Sequence, residues 1–138
     1  MANGVGGITD AMVAVSRLIY SGHIVRYKNA KVVVGMGGSG LPFIIGRLKR
    51  NAAITPNLGS PDEALRYLYV DTLVHDARVL RFVADVVGID RIMLGTDMPF
   101  PIGDDKPLEL VKAAGFSESE AKSINGGLAA QLFRIKQV

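Results

Sequence analysis

The chain has 138 residues, of which 49% are apolar and 21% charged, with a net charge of +3 from 16 basic and 13 acidic side chains. That length suffices for one domain with a real core, and the composition excludes a disordered chain. With no cysteines, disulfides and thiolate metal sites are excluded, so any metal must be held by Asp, Glu, His or water. In chain order, Thr9 or Asp10 can cap a helix running through Met12, Val15, Leu18 and Ile19, with Gly22 to end it. Lys31 to Gly35 reads as a buried strand, followed by a glycine-rich turn of Gly37, Gly38, Ser39 and Gly40. Leu41 to Leu48 reads as a helix, with Pro42 tolerated in its first turn, and residues 52–60 read as loop. Ser60-Pro61-Asp62-Glu63 starts a further helix, and Tyr67 to Thr72 is a second strand. Asp76 can cap a helix carrying Leu80, Val83, Val86 and Val87, closed by Gly88. Arg91 to Gly95 is a third strand, Ser117 and Glu120 form a capping-box pattern, and a last helix runs from about Gly127 to Phe133.

Helix and strand alternate, which predicts an α/β fold with a parallel sheet of three to four strands and flanking helices. The whole chain, 1–138, reads as a single domain, without linker, repeat or low-complexity tract. Polar and glycine-rich residues follow each strand, at 35–40, 71–76 and 96–101. In parallel α/β folds that is the end where sites form.

The basic residues are scattered, and the densest cluster, Arg47, Lys49 and Arg50, reads as a solvated helix end. No aromatic and basic interleaving points to nucleic acid. No stretch approaches the roughly 18 apolar residues of a membrane span. The N-terminal Met-Ala-Asn-Gly lacks the pattern of a signal peptide, so the expectation is cytoplasmic.

Two runs carry a family resemblance. They are Tyr69-Val70-Asp71-Thr72-Leu73-Val74-His75-Asp76 and Gly88-Ile89-Asp90-Arg91-Ile92-Met93-Leu94-Gly95-Thr96-Asp97-Met98-Pro99-Phe100-Pro101. With their spacing they resemble the amidohydrolase-related decarboxylases, the group that includes aminocarboxymuconate-semialdehyde decarboxylase. Ser16 to Gly22, Leu41 to Leu48 and Ile124 to Phe133 resemble further helices of that family. The resemblance covers nearly the whole chain and implies the C-terminal part of a (βα) barrel, of which a complete one needs about 250 residues.

The resemblance also implies a chemistry. Asp97, just past an apolar strand, would be the family's metal-binding aspartate, holding a divalent cation such as zinc if a complete site forms; without co-ligands, the isolated chain is expected to hold no tight metal. Read from the residues alone, Asp97 caps the next turn. Arg47 would bind a substrate carboxylate across a dimer interface, a task that suits the guanidinium fork. Alternatively, it is a surface helix arginine. Phe100 is a candidate substrate contact. His75 and Asp71 are candidate supporting residues, with the alternative that Asp76 caps its helix while His75 packs in the loop. His23 reads as an exposed turn residue.

The chain departs from the family pattern in three places. Its only histidines are His23 and His75, neither in the family's metal-binding motifs. Met36 stands where the family's acid/base histidine would fall, and a thioether transfers no protons. Leu128 stands where the family has Asn in its closing helix. The expectation is therefore a metal-dependent carboxy-lyase or hydrolase of a small aromatic or unsaturated carboxylate. The alternative is a catalytically incomplete fragment or pseudoenzyme acting as a structural or dimerisation module. Open sheet edges predict a homo-oligomer. A third reading takes Val32 to Gly40 as a strand and nucleotide-phosphate loop. Against it, Gly-Lys-Ser/Thr is absent, and the region about 20 residues on is the loop of Pro56 to Ser60, not a strand ending in an acid.

Overall fold

The structure, a computed structural model, describes residues 2–135. These form two compact units. One comprises the residues up to Val34 together with Gly38–Tyr69, the other Gly35–Gly37 together with the residues from Val70 on.

In the first unit, helix α1 (Gly7–Tyr20) buries Val15 and Ile19. It starts before the expected cap: Gly6 already has right-handed helical angles, and a wide turn (Ala2–Gly6) leads into it. Thr9 and Asp10 therefore lie inside the helix, where the Thr9 hydroxyl donates to the Val5 carbonyl at 2.9 Å. Gly22 ends the helix as expected, with φ +70°, a left-handed conformation that glycine adopts without steric cost. A short α2 (His23–Arg26) and strand β1 (Val32–Val34) follow. Next comes a single turn, α3 (Gly35–Ser39), where the chain crosses between the units.

Helix α4 (Leu41–Ile54) accommodates Pro42 in its first turn and runs past Leu48. The expected loop at 52–60 thus begins only at Thr55, because Ala52 and Ala53 are strong helix formers and nothing before Thr55 breaks the pattern. Helix α5 (Pro61–Leu65) is capped by the Ser60 hydroxyl, which accepts from the Glu63 amide at 3.3 Å.

Strand β2 (Leu68–Asp71) enters the second unit, and β3 (Ile92–Met93) lies parallel to it, pairing Val70 with Ile92 and Asp71 with Met93. The sheet order is β1-β2-β3. Among the described residues it therefore forms part of a (βα) barrel rather than a closed one, which needs eight strands. Helix α6 (Ala77–Val87) starts on the expected Asp76 cap and closes at Gly88. Its Leu80, Val83 and Ala84 are buried, as are Val70, Ile92, Val111 and Ile124. Helix α7 (Pro107–Ala113) was not foreseen in the sequence; only Val111 in it is buried, so its apolar periodicity is faint. Helix α8 (Glu118–Lys122) carries the expected capping box, and after a wide turn (Ser123–Gly127) α9 (Leu128–Phe133) closes the described chain. None of the described helices is long and apolar enough to cross a membrane.

Candidate functional site

The second unit gathers a constellation at the carboxyl ends of β2 and β3. Strand β2 ends on Asp71, whose side chain is half-buried. Its carboxylate accepts three backbone N–H groups: Met36 at 3.1 Å, Gly37 at 2.7 Å and Leu73 at 3.1 Å. Burial pushes this carboxyl above its ordinary value. The three amides pull it part of the way back, and the negative charge of Asp97 raises it further. Gly95 makes room for it, whereas a Cβ on Gly35 would meet it only at ordinary contact distance. A Cβ on Gly95 would lie 2.7 Å from the Asp71 Cβ, and one on Gly35 would lie 3.4 Å from Oδ2.

Next to Asp71, Thr72 is fully buried and joins the two strand ends. Its hydroxyl donates to the Gly95 carbonyl at 3.3 Å and accepts from the Gly95 amide at 3.2 Å. This link was missed in the sequence, where Thr72 read only as the end of a strand. A hydroxyl beside Asp71 in an otherwise apolar strand was its one visible signal.

Asp97 follows β3 and is exposed, in the left-handed conformation with φ +57°. The next turn is capped at the side-chain level by Thr96, whose Oγ1 accepts from the Met98 amide at 3.3 Å. Asp97 contributes only its backbone carbonyl, which accepts from the Phe100 amide at 3.0 Å. Its carboxylate makes no hydrogen bond among the described residues and faces Asp71 closely enough to be felt electrostatically. Phe100, on the same loop, is exposed, as are Met98 and Ile102.

Met36 lies in a run of five residues with positive φ: Met36 +54°, Gly37 +62°, Gly38 +83°, Ser39 +49° and Gly40 +74°. The structure thus brings Met36, Asp71 and, electrostatically, Asp97 together. His75 is exposed at φ +56° and lines a shallow cavity of about 340 Å³ with Asp104, Lys106 and Glu109. Its neighbour Asp76 is occupied as the cap of α6, accepting from the Arg78 amide at 2.8 Å and pairing with the Arg78 guanidinium at 2.8 Å. Leu128 is the first residue of α9 and half-buried. His23 is exposed, with Nδ1 2.6 Å from the Ser21 hydroxyl.

In the first unit, Arg47 is exposed on α4. It lines a groove of about 560 Å³ with Tyr20, Ile44, Leu48, Arg50, Asn51 and Ile54. Tyr20 donates its hydroxyl to the Leu48 carbonyl at 3.2 Å and accepts from the Asn51 side-chain Nδ2 at 3.2 Å. Lys49 is paired with Asp62 at 2.6 Å, whereas Arg47 has no ion-pair partner among the described residues.

The residues fit a metal only in part. Asp97 offers one accessible carboxylate, but among the described residues no three His, Asp or Glu side chains are grouped so as to hold an ion. The phosphate-loop reading meets an obstacle at the same place: the amides of Met36 and Gly37 are already taken by Asp71.

Comparison with known proteins gives a consistent picture. The 2-amino-3-carboxymuconate-6-semialdehyde decarboxylase of Dictyostelium discoideum is 34% identical over 132 residues, 91% of this chain but 37% of that protein. A dihydroxybenzoic acid decarboxylase from Polaromonas sp. JS666, solved with manganese and the inhibitor 2-nitroresorcinol, is 28% identical at a TM-score of 0.75. That match covers 92% of this chain and 40% of the other. The metal there is manganese rather than the zinc suggested by the sequence resemblance. The apo form of IDCase from Metarhizium anisopliae superposes at a TM-score of 0.82 over 99% of this chain and 42% of its own. At 24% identity it speaks to the fold alone. The chain thus spans about two-fifths of the length of these relatives. The amidohydrolase family model matches residues 1–135, and the chain belongs to the amidohydrolase family.

Proposed function

We propose that this chain is part of a decarboxylase that acts on a small aromatic or unsaturated carboxylate with a divalent metal, manganese or zinc. In this reading Asp97 is the chain's metal ligand. Asp71 and, more distantly, His75 support it, and Arg47 and Phe100 contact the substrate. The chain is one domain, the C-terminal segment of an amidohydrolase-type barrel. It works in the cytoplasm as a homo-oligomer joined through open sheet edges.

The observation that carries the reading is the state of Asp97: an accessible carboxylate just past a parallel strand, relieved of capping by Thr96. Strand ends of this kind are where parallel α/β sheets place their chemistry. The relatives' activities point the same way. Since Asp97 is one ligand among several that a metal needs, further ligands must come from outside the described residues or from a second chain. Gel filtration should show an assembly larger than a monomer.

The test is manganese binding followed by electron paramagnetic resonance, together with CO₂ release from 2,6-dihydroxybenzoate. Bound manganese that is lost in Asp97→Asn, and CO₂ release that requires it, are the expected results. Manganese binding equal in the wild type and Asp97→Asn would overturn the assignment. A second reading, a catalytically incomplete module, is favoured by Met36, whose thioether cannot move a proton. On that reading manganese binds, or fails to bind, without any CO₂ release, and Met36→His does not restore it.

A further inference from the structure

We infer that Asp71 is a positioning residue: it serves as an internal anion for the backbone of residues 36 and 37 and thereby fixes the conformation from which side chain 36 projects. The inference rests on the reading that position 36 faces the chemistry, but its geometry stands independently.

The backbone is the starting point. Met36 and Ser39 are non-glycine residues at φ +54° and +49°, inside five consecutive positive-φ residues. Left-handed backbone is strained for an L-residue, so such a run does not persist unless its surroundings hold it. Successive amides in a turn of this kind can converge on one anion, forming a concave binding site for it. The Met36 and Gly37 amides converge on Asp71, one to each carboxylate oxygen, at 3.1 and 2.7 Å. The Leu73 amide shares Oδ1 at 3.1 Å and holds the carboxylate from its own strand end.

The surroundings are shaped for this role. Gly95 after β3 lacks the Cβ atom that would crowd the Asp71 side chain. Gly37 packs so closely on Val74 that a Cβ there would overlap the valine side chain. The turn is thus pinned by charge on one side and by packing on the other. A charge-assisted bond from a carboxylate to a backbone amide is among the stronger hydrogen bonds in proteins. Replacing the carboxylate by a carboxamide removes the charge and leaves at most one oxygen to accept.

The experiment is amide hydrogen exchange by NMR on the wild type and Asp71→Asn. The expected result is exchange at Met36 and Gly37 that is faster by at least about ten-fold in the variant, from loss of charge-assisted bonds. Exchange at Val70 and Ile92 in the sheet should change far less. The Met36 methyl resonance should move toward its rotamer-averaged position. Equal acceleration at all four amides would reduce Asp71 to a general stability role and overturn the inference. Should Asp71→Asn fail to fold, the wild type alone decides: scalar coupling across the hydrogen bonds from the Met36 and Gly37 nitrogens to the Asp71 Cγ is expected, and its absence overturns the inference. Neither readout depends on activity. Selective exchange in a chain that releases no CO₂ would therefore sink the proposed function and leave the positioning role standing.

Discussion

Thr72→Val is the sharpest test of how the ends of β2 and β3 are held. Valine has nearly the shape of threonine, and the site is fully buried, so the change removes polarity and little else. Two hydrogen bonds disappear, one in each direction, to the carbonyl and amide of Gly95 at 3.3 and 3.2 Å. Each contributes about 1 kcal/mol net, and a buried group left unpaired costs about 1–3 kcal/mol more. Both bonds are long, so the lower end applies. A methyl in place of the hydroxyl recovers part of a methylene's burial, about 0.8 kcal/mol at most. The expected loss is about 2 kcal/mol. With a urea slope of about 1–3 kcal/mol/M, the midpoint should fall by about 1 M at unchanged slope. Thr72→Ser is the counter-test. It keeps both bonds and loses one buried methyl, costing about 1 kcal/mol. The wild type should therefore be the most stable, then Thr72→Ser, then Thr72→Val. If Thr72→Val proves as stable as Thr72→Ser or more so, packing rather than the Gly95 link holds the strand ends, and the reasoning fails.

Two glycines should respond with opposite signs. Gly37→Ala at φ +62° meets Val74 and should cost about 3 kcal/mol from left-handed strain and overpacking, whereas Gly46→Ala in α4 meets nothing within 4 Å and should gain about 0.5–1 kcal/mol in the same urea titration. Two aspartates should tilt the pH dependence in opposite directions. The Arg78 side chain holds the Asp76 carboxyl down at about 2, so its stabilising effect is present above 3.8 and lost as the pH falls toward 2; in Asp76→Asn the melting temperature should drop at neutral pH and converge with the wild type in that acid range. Asp71 is held above 3.8, chiefly by burial, so the folded state takes up its proton more readily than the unfolded chain; the stability from that protonation is fully present below 3.8 and lost as the pH rises through the folded-state value, and Asp71→Asn should abolish that slope.

Much of the fold follows from local chemistry. The apolar runs at 32–34, 68–70 and 92–93, the caps at Ser60, Asp76 and Ser117 and the stop at Gly22 depend on residues close to one another in sequence. Apolar periodicity, short polar side chains ahead of helices and glycine after them are legible without tertiary knowledge. The start of α1, the extension of α4 to Ile54 and the presence of α7 were not legible. The start of α1 and the presence of α7 rest on weak local preferences that neighbouring backbone or a single buried side chain can tip, whereas α4 runs on through its alanines until Thr55.

For the candidate site, sequence placed Asp71 at the end of a strand and Met36 and Asp97 just after strands, and no more than that. Pairing β2 with β3 in the observed register is what sets Asp71 beside Gly95 and lets Thr72 bridge to it. The left-handed turn that carries Met36 to the Asp71 carboxylate joins residues 34 or more positions apart, a distance over which no local pattern carries information. Whether Asp97 would cap its own turn or stand free depended on which neighbour reached the Met98 amide, and Thr96 did. Residue types and their order therefore determined the elements and the end of the sheet where polar groups collect. Only the tertiary structure decided which of those groups meet, because hydrogen bonds and close approach depend on register and backbone direction rather than on composition.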